Sequence, residues 1–415
     1  MSTDLSWWFI EPVDVWSFRG NLGFGEGSEV ADTLLVPRPQ TVTGALRSSL
    51  LATLTTVERA HFHDDTPIAG DIGSALGTAR HPGTLHVVWT GIARTVAGGR
   101  LRALVPAPLD LVGSRSGHAA QLTRRRVIQE LPTRVRAYLP HGLGIAVSRT
   151  GSSKGFGGYL TDTGFRTWLQ GKTPAADDFI PAEVITAPNE HGWVDIEPRL
   201  GIALDSRRRT ASTGRLYVTQ YVRYRPGVGI VVAAVGVRGA TAEHLDGALV
   251  RLGGDGRAAV VTRVAPPDGL ASDDRIAWRS RALLIAVTPG VFARGWVPDG
   301  FEEDGDGYLR ARLGGVTLRL DGIVLGRPTT ISGWSLAPSR GHRSVGQPRP
   351  PATTVPEGSV WFLTIEQGES HAIDEFARDL RVRSINAVLT GRPGARDAEG
   401  YSQCWLGSGG EETSV

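Results

Sequence analysis

The sequence predicts an α+β protein of two domains, residues 1–205 and 206–415, and three observations predict it. A chain of 415 residues exceeds what one hydrophobic core usually organises. A strand–helix–strand–strand order occurs twice, and that order opens a ferredoxin-like unit. Between the two series, residues about 111–195 are irregular and rich in Gly and Arg, so they read as a long insertion in the first domain.

The elements follow in order. Trp7, Trp8, Phe9 and Ile10 are strand formers, and the glycine-rich stretch 20–27 ends that strand. Pro37 and Pro39 set an extended approach to a helix, with Thr41 or Thr43 as the expected cap. Leu46, Leu50, Leu54 and Val57 recur at helical spacing, which leaves Arg47 in the first turn on another face. Strands are expected at 84–90 and 101–105. The second series has strands at 216–224 and 230–235, then a helix over 242–252 with Leu245 and Leu249 on one face, ended by Gly253-Gly254. Further strands are expected at 258–264, 282–287, 316–325 and 359–365, with a late helix over 373–380.

Composition narrows the function. No apolar run approaches the ~18 residues of a membrane span, and the first residues lack the charge and apolar block of a secretion signal. A single cysteine, Cys404, excludes a disulfide framework and any multi-cysteine zinc module. A cytoplasmic location is expected. Of 45 cationic side chains, 43 are arginine, whose planar forks suit phosphate and nucleobase contacts. The net charge of +3 hides segregation: seven arginines and one acid lie between Arg115 and Arg149, and eight and one between Arg199 and Arg238. Such blocks are either a polyanion surface or solvated loops.

Short motifs then recur along almost the whole chain. The run Glu11-Pro12-Val13-Asp14-Val15-Trp16-Ser17-Phe18-Arg19 resembles the "P-x-D-x-x-x-F-R" entry of CRISPR-associated RAMP proteins, and Pro39-Gln-Thr-Val-Thr-Gly-Ala-Leu-Arg47 resembles their "P-x-T-x-x-G-A-L-R" helix start. Pro106-Ala-Pro-Leu-Asp110, Gly201-Ile-Ala-Leu-Asp205, Leu252-Gly-Gly-Asp-Gly-Arg257, Ser332-Gly333-Trp334 and Gly358-Ser359-Val360-Trp361-Phe362 continue the series. Within that group the chain is most similar to the third-subunit family of type III-B (Cmr) effector complexes. The resemblance implies two RRM/RAMP-type domains and no catalytic activity. It further implies binding of the 5′ handle of the guide RNA, docking of the large polymerase/cyclase-type subunit, and contact with the backbone RAMP subunits in antiviral defence. The insertion and the closing stretch Gly400–Gly407 follow the family least.

RNA recognition needs cations for phosphates, backbone amides that a phosphate can approach, and flat surfaces for bases. Those needs select Arg19, Arg47, Lys154, Phe156, Arg207, Arg208, Arg209, Gly253 and Gly254 as candidate RNA-binding residues. Lys154 and Phe156 stand in a glycine-rich loop, 151–158, that either cradles a phosphate or has no ligand. Three adjacent guanidiniums at 207–209 repel one another without an anion. Arg19 and Arg47 either meet phosphate or pair with Asp14 and Glu11. Arg124-Arg125-Arg126 faces RNA or an acidic neighbour. Trp334 either stacks on a base or is core; Trp296 and Trp361 read as core.

No catalytic residue, metal or cofactor is expected. His61 and His63, with Asp64 and Asp65, read as a solvated loop, although related guide-processing nucleases place a histidine in their N-terminal half. Glu302–Gly307 resembles a calcium loop but lacks the glutamate at its twelfth position, and reads as a solvated acidic turn. Cys404 reads as a buried thiol. Three alternatives stand beside the scaffold reading: the handle-binding subunit of the type III-A complex, an endoribonuclease using His61 or His63, and a protein-only adaptor whose basic blocks meet acidic subunits.

Overall fold

A computed structural model describes residues 5–20, 30–31, 33–116, 119–129, 139–148, 154–155, 157–205, 208, 210–271, 276–336, 346–394 and 396–410. Two large antiparallel sheets organise the chain. In the first, the four central strands run Ala258–Val264, Ser6–Pro12, Val228–Val235, His86–Thr95 side by side. Leu101–Pro106, Gly158–Thr161 and Phe179–Pro181 extend one edge, and Leu249–Arg251 the other. In the second, the order is Glu302–Glu303, Leu309–Leu313, Val316–Val324, Val360–Gln367, Arg281–Ala286, Cys404–Ser408.

Side chains alternate across these strands, and the alternation builds three cores. From the first sheet, Trp8, Ile10, Ile230 and Val232 pack against Val42, Leu46 and Leu50 of the first helix, Pro39–Thr53, and against Leu245 of the helix Gly239–Leu245. The opposite face, with Trp7, Phe9, Val231 and Ala233, meets Leu283, Ile285, Phe362 and Trp405 of the second sheet. Phe165 and Trp168 of the helix Asp162–Leu169 complete this shared layer. The outer face of the second sheet, Leu284, Trp361, Leu363 and Leu406, is covered by the helices Ser370–Asp379 and Ile385–Thr390. A long hairpin, Val194–Asp205 with Thr210–Tyr224, stands apart as its own sheet with Val30–Ala31. Among the described residues no helix is long and apolar enough to cross a membrane.

The strands expected at 84–90, 101–105, 230–235, 258–264, 282–287, 316–325 and 359–365 are all present, with ends shifted by five residues at most. Their assignment to two consecutive series is corrected. Strands 228–235 and 258–264 flank Ser6–Pro12 in the first sheet, although they follow residue 206. Pairing partners more than 200 residues apart decide sheet membership, and local pattern does not carry that information.

Three helix expectations are also corrected. The first helix starts at Pro39, not at a threonine. Arg38 is its N-cap, with no side-chain cap, and Pro39 lacks the N–H that would need one. Leu54 is buried at its end, but Val57 is exposed and belongs to a separate helix, Thr56–His63, opened by a Thr55–Glu58 capping box. The helix expected over 242–252 ends at Leu245, and Leu249 is 69% exposed on the edge strand that follows. The second sheet has no helix between Arg281–Ala286 and Val316–Val324, where the first sheet has Pro39–Thr53.

Candidate nucleic-acid interface

The N-terminus of the first helix points into the junction between the two halves, and two clefts open beside it. Gln40 and Thr41 line both. No acidic residue lies in the first turn, so the helix itself supplies no carboxylate to its positive end. Arg38 spans the junction: its Nη1 donates to the carbonyl of Thr330 at 3.0 Å.

The first cleft, of about 670 Å³, brings together Arg19, Arg38, Gly253 and Gly254 with the wall Pro328–Ser332 of the second half. Arg19 is exposed and bridges to Thr33. Gly253 has φ +80°, and a Cβ there would meet the Ser17 carbonyl oxygen at 2.8 Å and the Phe18 ring at 3.0 Å. The Gly254 amide already donates to the Ser17 carbonyl at 2.8 Å. The glycine pair therefore holds the Ser17–Arg19 segment in place, and the Gly254 N–H is committed to that task.

The second cleft, of about 480 Å³, is lined by Arg47, Arg80, Arg349 and Arg396, with Glu399 the one carboxylate in its lining. Arg47 lies in the third helical turn, not in the first as expected, away from the positive end of the helix dipole. Its Nη2 donates to the Leu76 carbonyl at 2.5 Å. Burial pulls the Arg47 guanidinium below its usual pKa; Glu399 opposes that shift and Arg349 adds to it. Glu399 pairs with Arg349 and, at 3.2 Å, with Arg396. One carboxylate shared among these cations leaves the cleft positive. Gly44 opens onto the same space, exposed, and a Cβ there would meet no atom within 4 Å. Trp334 also lines this cleft at 56% exposure, so it is not core.

The remaining candidates fall elsewhere. Arg208 is exposed in the turn of the long hairpin. Arg208 lines neither cleft. Lys154 belongs to a short strand against Val112–Gly113. Its side chain, Phe156, Arg207 and Arg209 lie outside the described residues.

Several motif residues have structural work. Asp14 pairs with Arg223 at 3.1 Å and Arg257 at 3.9 Å, not with Arg19 or Arg47. Asp110 is fully buried and accepts from Arg124 Nε at 3.0 Å and Trp168 Nε1 at 2.9 Å. Arg124, its guanidinium 4.9 Å from the Trp168 ring, is thereby part of the core and not a free surface cation. His61 and His63 are exposed on the helix Thr56–His63, not in a loop. Asp65 turns away from them to Thr78 and His81. The turn at 302–307 is pinned by Arg310 and Arg312 on Asp304 and Asp306, so its carboxylates are paired and not merely solvated. Cys404 is buried, as expected.

Sequence reasoning missed Arg38, Gly44, Arg80, Arg349 and Arg396. Arg38 had a signal, a cation between two prolines at a helix start. Arg349 and Arg396 reach the cleft only through the fold of the second half.

Comparison with known proteins follows from this geometry. Residues 8–408 match the family described as CRISPR-associated protein (Cas_Cmr3). A comparison with curated protein sequences finds no match. Among solved structures, the chain is similar to one from the type III-B Cmr-beta complex bound to cognate target RNA, at 16% identity and TM-score 0.44 over 86% of each chain. It is also similar to a chain of the Csm3-Csm4 subcomplex of the type III-A interference complex, at 8% identity and TM-score 0.38, over 86% of this chain and 92% of that one. A chain of the Csm1-Csm4 cassette with AMPPNP follows at 10% identity and TM-score 0.31, over 87% and 88%. The family match spans both halves and both clefts, and the protein belongs to the CRISPR-associated Cmr3 family.

Proposed function

We propose that this chain is the non-catalytic subunit that grips the 5′ handle of the guide RNA in a type III-B effector complex. Family membership makes it a type III CRISPR-Cas effector subunit. On our reading, each large sheet with its outer helices is one ferredoxin-like unit, because each has the strand order 4-1-3-2 of that fold; the second has lost its first helix. The observation that carries the RNA reading is the pair of arginine-lined clefts around the uncapped start of the first helix. Single-stranded RNA requires cations for phosphates and an exposed ring for a base. Arg19, Arg38, Arg47 and Arg349 supply the first, and Trp334 the second. Docking of the large polymerase/cyclase-type subunit and contact with the backbone subunits would use other faces, in a cytoplasmic ribonucleoprotein.

Incubating the full-length protein with repeat-derived RNA tests this directly. Retention of the 5′ handle without cleavage supports the scaffold. Cleavage abolished by His63→Ala or His61→Ala would replace it with a nuclease, and binding partners that persist with no RNA after ribonuclease treatment would replace it with a protein-only adaptor.

A further inference from the structure

A cavity of about 110 Å³ lies where the segment 119–129 of the first half covers the second sheet. Arg124, Arg125, Arg126, Arg281 and Arg319 line it, and Asp321 is the one carboxylate in the lining. Both oxygens of Asp321 are already taken, one by Arg319 Nε at 2.8 Å and the other by Thr364 Oγ1 at 2.5 Å. Arg124 Nη2, Arg125 Nε and Arg126 Nε are buried and have no hydrogen-bond partner. A charged donor left buried and unmet is strongly unfavourable. Arg124 is already paired through its Nε with buried Asp110, so the unmet donors of Arg125 and Arg126, beside the remaining Nη2 of Arg124, mark a place for an acceptor.

The backbone explains the convergence. Arg125 breaks the run between the strands Ala119–Arg124 and Arg126–Ile128, and its N–H donates to the Asp110 carbonyl at 2.7 Å. The break removes the alternation that would send consecutive side chains to opposite faces. The volume is several times the ~10–15 Å³ that one water needs, room enough for a tetrahedral oxyanion. Guanidinium forks match such an anion bidentately. The cavity is also separate from the clefts at the first helix: strand Val316–Val324 passes it at Arg319 and leads away toward the Pro328–Ser332 wall.

We propose that this cavity is an anion site that takes a phosphate group, held by Arg124, Arg125 and Arg126. The phosphate belongs either to a free phosphate or mononucleotide, or to the backbone of a bound polynucleotide.

Two measurements on the full-length chain test the site. Phenylglyoxal modification, read by peptide mass spectrometry at constant ionic strength, should show Arg125 and Arg126 protected by inorganic phosphate, with exposed Arg208 unprotected. Titration calorimetry should show phosphate binding at least about tenfold weaker, ~1.4 kcal/mol, in Arg125→Gln/Arg126→Gln. Equal modification with and without phosphate, or equal affinity in the folded double variant, would overturn the proposal. The first measurement needs no variant, so misfolding cannot obscure it. A salt titration of single-stranded RNA binding then separates the sources. A polynucleotide source lowers the log–log slope of the double variant by ~0.7 per lost contact, whereas a free phosphate or mononucleotide leaves the slope unchanged.

Discussion

Gly44 is the sixth residue of a helix, where glycine costs about 1 kcal/mol relative to alanine, yet nothing in the protein occupies the space its missing Cβ leaves. Crowding explains Gly253 in the same region; it does not explain Gly44. On the proposed RNA reading, the open space leaves room for a ligand against the helix face. Gly44→Ala should therefore raise the denaturation midpoint, by about 1 kcal/mol of stability. Gly44→Leu should weaken RNA binding by filling the cleft. A stability loss for Gly44→Ala in chemical denaturation would show that the open space is not real. At this scale the sequence was a partial guide. Arg19, Arg47 and the Gly253-Gly254 pair all line the clefts. Their expected ion-pair partners and the free Gly254 amide were wrong, because both depend on neighbours brought in from residues 17, 76, 223 and 399.

The acidic turn before Leu309–Leu313 shows how an element acquires a pH dependence. Hydrogen bonds from Arg312 hold Asp304 below its usual pKa, and those from Arg310 hold Asp306 down at about 2 and Glu366 below its usual value. Depressed carboxyl values stabilise the fold above the unfolded range of ~4, and that contribution is lost as pH falls through the folded values. Thermal unfolding of the wild type should thus lose stability between pH 4 and pH 2, and Arg310→Gln should flatten that fall. An identical acid limb in the variant would remove the network from the account. Asp397 works in the opposite sense: burial raises its pKa, so its contribution is present at low pH and lost as pH rises through the raised value. The first helix was legible as an element, since Pro37, Pro39 and the leucine spacing are local signals. Its cap was not, because proline at the first position removes the need for a threonine oxygen.

Across the whole molecule, the two halves share one apolar layer. Trp405 lies 6.4 Å from Trp89 and 5.6 Å from Phe165, with the Arg381 guanidinium 3.8 Å from its ring. Trp405→Ala should cost about 3–5 kcal/mol and shift a single unfolding transition rather than the later of two. Two separated calorimetric peaks would show independent halves. Most individual strands were readable from sequence, whereas the chain's return to the first sheet at 228–235 and 258–264 was not. The same long-range return places Arg349 and Arg396 beside a helix that starts at residue 39. The most direct test of the RNA interface is the salt dependence of repeat-derived RNA binding in Arg38→Ala, Arg349→Ala and their combination. The account predicts a log–log slope shallower by ~0.7 for each phosphate contact removed. An unchanged slope in the combined variant would contradict it.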